Sequence, residues 1–137
     1  MVSILLMTHG EIGLELLETA KNILGHIRTP IACLSISSRS DISVVSTQAS
    51  QLVKKLDQGG GVLIITDLYG ATPHNIANSL ALVNKALVSG LNLPMLLRAL
   101  NYAEEYSLEL LAEKTQQGGL IGITCHLPIN TGHPAHA

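Results

Sequence analysis

Short, unbroken apolar runs alternate along this chain with stretches whose apolar residues recur at helical spacing. That alternation restricts the fold more than any other feature. The runs are residues 2–7, 31–36, 62–66 and 86–89, with a last one at 120–125. Hydrophobicity that is continuous, rather than present at every second residue, marks strands covered on both faces, as in parallel sheets. After the first run, Ile12, Leu16, Leu17, Ala20, Ile23, Leu24 and Ile27 fall on one helical face. Ile42, Val45, Ala49, Leu52, Val53 and Leu56 repeat the pattern after the second run, and Ile76, Ala77, Leu80 and Val83 after the third. Pro94 opens a further helix, and Leu108, Leu111 and Ala112 belong to another that is expected to stop at Gly118-Gly119. Alternation of this kind, with right-handed crossovers, gives an α/β domain: an open, mostly parallel, doubly wound sheet with flanking helices.

Local signals place the joints. Thr8 and Glu11 have the spacing of a capping box, with Thr8 as N-cap. Gly25 and Pro30 mark the end of that helix. Ser40 or Asp41 is expected to cap the second helix. Thr72 is expected to cap the third, with Pro73 in its first turn. A length of 137 residues suits one domain. Residues 1–127 are expected to form it, and residues 128–137, with Pro128, Gly132 and Pro134, a loose tail.

Composition removes several functions. With 47% hydrophobic and 13% charged residues, the chain is globular, and part of its surface is expected to be buried against another subunit. Phe and Trp are absent, Tyr occurs three times, and the net charge is −2, which leaves neither stacking platforms nor a basic stripe for nucleic acid. No run approaches the roughly 18 apolar residues of a membrane span. The N-terminal run has neither the basic flank nor the length of a signal peptide, so a cytoplasmic location without stable membrane insertion is expected. Cys33 and Cys125 lie in apolar runs and read as buried reduced thiols.

In parallel sheets, sites form outside the carboxyl ends of strands. His9 follows the first strand and Asp67 the third. If those strands are neighbours, Asp67 accepts a hydrogen bond from one ring nitrogen of His9, which fixes the tautomer and leaves the other nitrogen nucleophilic. The alternative is that His9 only ends a strand and Asp67 only caps a turn. A second constellation runs from Asp67 to Asn75. There Gly70 permits a tight backbone, Thr72 offers a hydroxyl, and the helix start offers N–H groups that suit phosphoryl oxygens. An ordinary capped strand–helix turn has the same composition. No Gly-Lys-Ser/Thr follows, so this is not a P-loop. His26 lies at a helix end, where an imidazolium suits the dipole, and reads as structural. His74 lies beside the site, and His126, His133 and His136 in the tail match no compact zinc spacing, so no metal site is expected.

Thr8-His9-Gly10, then Asp67-x-x-Gly70-x-Thr72-Pro73-x-Asn75, then Gly90-Leu91-Asn92-Leu93-Pro94-Met95-Leu96 occur in order. With these motifs the chain resembles, over residues 1–126, the mannose-family enzyme IIA component of the bacterial phosphoenolpyruvate-dependent sugar phosphotransferase system (PTS). The resemblance implies that His9 accepts a phosphoryl group from the phosphocarrier HPr and passes it to a histidine of a IIB component. It implies that Asp67 orients His9, that Thr8, Gly70, Ala71, Thr72 and Asn75 surround the phosphoryl group, and that no cofactor takes part. It further implies four parallel strands plus an antiparallel strand, here residues 120–125, exchanged within a homodimer. Ala71-Thr72 stands where Gly-Ser is common in the family, and His74 where Phe is common. Glu11 would repel a phosphoryl group unless it turns away as a capping residue. No IIB domain follows, so a regulatory protein read by its phosphorylation state is an alternative to a transport component. The phosphotransferase subunit of dihydroxyacetone kinase is another. A small-molecule hydrolase is the weakest reading, since no nucleophile elbow or second carboxylate accompanies His9.

Overall fold

A computed structural model describes residues 1–81 and 84–129. Four strands, β1 (Ser3–His9), β2 (Ile31–Ile36), β3 (Val62–Thr66) and β4 (Lys85–Ser89), pair in the order β2-β1-β3-β4, every pair parallel. The helices are α1 (Ile12–Leu24), α2 (Ile42–Leu56), α3 (Thr72–Ser79), α4 (Leu93–Tyr102) and α5 (Leu108–Ile121). Ile4 and Leu6 of β1 and Leu63 and Ile65 of β3 pack on one face, with α1, α4 and α5. Leu5, Met7, Val62 and Ile64 point to the other, where α2 and α3 lie. Both faces are covered, which is why the central strands read as unbroken apolar runs: residues 4–7 and 62–65 are all fully buried. Each such side chain contributes about 1.5–3 kcal/mol of transfer free energy.

Two expected caps sit in a different register. Thr8 does hold the start of α1, but from the last turn of the strand: its Oγ1 accepts the Gly13 N–H at 3.0 Å. Gly13 has no side chain to obstruct this, since a Cβ there would lie 3.1 Å from that oxygen. Glu11 is the residue before α1 and its side chain makes no capping bond. At α3 the N-cap is Ala71, and Thr72 is already helical. Asp41 caps α2 as expected, accepting from Ser43 N–H at 2.9 Å.

The largest departure is at α5. This helix runs through Gly118-Gly119 and ends at Ile121. The glycine pair is a packing contact with α4. A Cβ on Gly118 would lie 2.7 Å from Arg98 Cβ, and one on Gly119 would lie 2.8 Å from Met95 Cε. Asn92 completes the joint. Its Oδ1 caps α4 through the Met95 N–H at 2.9 Å, and its amide donates to the Gly119 carbonyl at 3.1 Å. The Asn-Leu-Pro-Met run thus secures α5. Residues 120–125 are therefore not a strand, and no antiparallel strand occurs among the described residues. Residues 123–129 leave the domain without regular structure, with Ile123, Leu127 and Ile129 more than two-thirds exposed. Cys125 is exposed, contrary to the expected burial, while Cys33 is half-buried and desolvation raises its thiol pKa. Val83, His133 and His136 lie outside the described residues.

Candidate functional site

The site forms where β1 and β3 end side by side. Their register pairs Met7 with Thr66, which brings His9 and Asp67 together just beyond. Asp67 Oδ2 accepts two hydrogen bonds from the same residue: the His9 backbone N–H at 3.0 Å and the ring Nδ1 at 2.9 Å. A carboxylate only accepts, so in the neutral ring Nδ1 carries the proton and Nε2 the lone pair. The imidazole is half-exposed at 48%, whereas the Asp67 side chain is 10% exposed. The second carboxylate oxygen, Oδ1, is buried without a hydrogen-bond partner among the described residues.

The loop after β3 turns at Gly70, whose φ of +79° is in the region that favours glycine. Asn75 braces it from inside α3, donating from Nδ2 to the Gly70 carbonyl at 3.3 Å. Asn75 N–H also reaches the Ala71 carbonyl at 2.9 Å. Gly70 and Asn75 thus shape the loop, and Ala71 opens the helix. Since Thr72 is not the cap, its hydroxyl stays free of that duty, and it lines a cavity together with His9. Thr8 lies elsewhere: it is 1% exposed and its hydroxyl is engaged by Gly13. Glu11 is exposed and is not among the residues lining that cavity. His74 pairs its ring with Tyr69, centroids 4.7 Å apart, beside a groove along β4.

The cavity next to His9 has a volume of about 270 Å³. Ser37, Ser38 and Ser40, from the loop after β2, also line it, with Ile36, Ile42, Val45 and Ile76 as apolar lining. Sequence reasoning missed these serines as site residues. The signal was present: a polar Ser-Ser-Arg-Ser run directly follows a strand end, the same position that singled out His9 and Asp67. Exposed apolar side chains stand near the site, with Ile12 at 47%, Ile42 at 59%, Leu68 at 59% and Tyr69 at 79%. Among the described residues no His, Cys, Asp and Glu cluster is arranged to hold a metal, and no helix is long and apolar enough to cross a membrane.

Residues 3–116 match the family EIIA-man, described as the PTS system fructose IIA component. The PTS system fructose-specific EIIA component of Bacillus subtilis (strain 168) is 28% identical over 111 residues, 80% of this chain and 75% of that protein. The PTS system mannose-specific EIIAB component of Escherichia coli (strain K12) is 25% identical over 99% of this chain, which spans 43% of its length. Two solved structures share the fold. The phosphotransferase system component EIIA of Streptococcus agalactiae has a TM-score of 0.80 at 25% identity, covering 91% of this chain and 97% of that one. The mannose/sorbose specific IIA subunit of Enterococcus faecalis has a TM-score of 0.78 at 26% identity, covering 94% and 98%. The chain belongs to the EIIA-man family of PTS IIA components, proteins that carry phosphoryl groups between proteins.

Proposed function

We propose that His9 Nε2 is the atom that carries the phosphoryl group, received from HPr and passed to a histidine of a IIB component. The observation that carries this is the 2.9 Å bond between Nδ1 and Asp67 Oδ2. It keeps the proton on Nδ1 and frees Nε2 to attack phosphorus in line. As the new P–Nε2 bond forms, the P–N bond to the donor's histidine breaks, and the electron pair leaves with the donor's ring. The proton stays on Nδ1, hydrogen-bonded to Asp67, whose charge offsets the positive charge the ring gains. Nitrogen replaces nitrogen, so the transfer is close to isoenergetic, and position and charge supply the catalysis. Thr72, with backbone N–H groups of the 70–72 turn, receives the phosphoryl oxygens. No cofactor enters the scheme. Gly70 and Asn75 hold the turn, and Thr8 acts indirectly by seating α1.

The exposed Ile12, Ile42, Leu68 and Tyr69 supply the transient surface on which donor and acceptor dock in turn, and the exchange takes place in the cytoplasm. We also infer a homodimer. Ile123, Cys125, Leu127 and Ile129 alternate with Thr124, His126 and Pro128, the pattern of a strand with one apolar face. A lone chain leaves these residues exposed, and β4 presents an unpaired edge. Exchange of residues 123–129 between two copies would satisfy both. A chain cut after Gly122 is expected to sediment as a monomer where the full chain sediments as a dimer; equal masses would end this inference.

The carrier reading is tested by incubation with radiolabelled phosphoenolpyruvate, enzyme I and HPr. The full chain is expected to acquire an acid-labile, base-stable label that His9→Ala does not. Equal labelling of His9→Ala would refute it. Captured IIB components would mark a transport role, and captured kinases or transcription regulators a regulatory one.

A further inference from the structure

We propose that the loop joining β2 to α2 forms the second wall of the phosphoryl site, with Ser38 as its donor. This rests on the carrier reading and adds a positioning residue to it. Strand order supplies the argument. β1 lies between β3, which carries Asp67, and β2, which leads into the serine loop. Nδ1 is held toward Asp67 at 2.9 Å. One cavity is lined by His9, Thr72, Ser37, Ser38 and Ser40, so the loop after β2 and the start of α3 border the same imidazole.

A phosphoryl group presents three peripheral oxygens, more than the Thr72 hydroxyl alone satisfies. The serine loop supplies further polar lining of the same cavity. Within it, Ser37 N–H donates to Ser40 Oγ at 2.9 Å, the Ser37 and Ser40 hydroxyls lie 3.2 Å apart, and Arg39 N–H donates to Ser37 Oγ at 3.2 Å. Ser37 and Ser40 are therefore spent on the loop's own shape. Ser38 stands outside that set and lines the cavity. The nearby Asp41 carboxylate does not line it and accepts from Ser43 N–H and Oγ at 2.9 and 2.8 Å. Behind the serines, Ile36, Val45 and Ile76 are buried, and a poorly polarisable backing strengthens a hydroxyl-to-phosphoryl bond.

The test measures the equilibrium distribution of phosphoryl groups between phospho-HPr and His9 in Ser38→Ala and Ser38→Thr, with the 31P resonance of the phosphohistidine. Loss of one hydrogen bond to a charged group is expected to shift the equilibrium about tenfold toward the donor in Ser38→Ala and to move the 31P resonance. Ser38→Thr keeps a hydroxyl and is expected to restore both, with melting temperatures alike throughout. If Ser38→Ala distributes phosphoryl groups as the unaltered chain does, the second wall is refuted and the carrier reading stands. If the unaltered chain takes no label on His9, both fall.

Discussion

Replacing Asp67 with asparagine separates its charge from its hydrogen bonds. In the native site one oxygen accepts both His9 N–H groups, at 3.0 and 2.9 Å. An asparagine carbonyl in that place accepts the same two bonds. The backbone N–H of His9 disfavours the flipped amide, because two N–H groups would then face each other. Tautomer and orientation are therefore kept, and the carboxylate charge is lost. At about 4 Å and an effective dielectric of about 20, a full positive charge on the ring gains about 4 kcal/mol from that carboxylate. His9 is half-exposed, and solvent screening reduces this to about 2 kcal/mol. Asp67→Asn is then expected to slow phosphoryl transfer by about 30-fold. Asp67→Ala also loses the orienting bonds and is expected to be at least about tenfold slower again. Rapid-quench transfer from labelled phospho-HPr measures both, with melting curves as the control for folding. Native-like rates in Asp67→Asn would refute the electrostatic argument. Equal rates in the two variants would refute the orienting role.

Two further predictions concern the frame around the site. Gly118→Ala is expected to destabilise by about 1–3 kcal/mol, because the new methyl meets Arg98 Cβ, which cannot move without its backbone. Gly119→Ala meets the flexible end of Met95 at 2.8 Å, which can swing aside, and Met95 Cβ at 3.3 Å, which gives less readily; a gain in helix propensity of up to about 1 kcal/mol offsets part of this, so its urea midpoint is expected to fall less than that of Gly118→Ala. Lys85 Nζ donates to the carbonyls of Ala77, Asn78 and Leu80 at 3.0, 2.8 and 2.7 Å, closing the C-terminal end of α3 from β4. Lys85→Met is expected to cost about 1–3 kcal/mol, read by thermal melting.

Much of this is legible in the sequence. Unbroken apolar runs mark doubly covered strands, and alternation with helical stripes restricts them to a parallel sheet. Only adjacency of β1 and β3 was needed to bring His9 and Asp67 within bonding distance. What was not legible depends on contacts distant in sequence. Gly118-Gly119 reads locally as a helix stop, and only the close approach of Arg98 and Met95 makes it a crossing point. Thr8 and Glu11 have capping-box spacing, yet the strand continues through His9, so Thr8 reaches Gly13 instead. Residues 120–125 look like a strand, but a strand requires a neighbour. Within one chain α5 takes the first of them, and the apolar alternation that remains begins at Ile123. Ser37, Ser38 and Ser40 carry no charge to mark them in the sequence, and only the shared cavity brings them beside His9.

If Asp67 holds the proton on Nδ1, Nε2 is left to take the phosphoryl group, and NMR of phosphorylated protein with 15N-labelled histidine reads both nitrogens at once. Phosphorus coupling to Nε2 of His9 is expected, with the Nδ1 proton retained in its bond to Asp67. Phosphorus on Nδ1, or on any histidine other than His9, would contradict it.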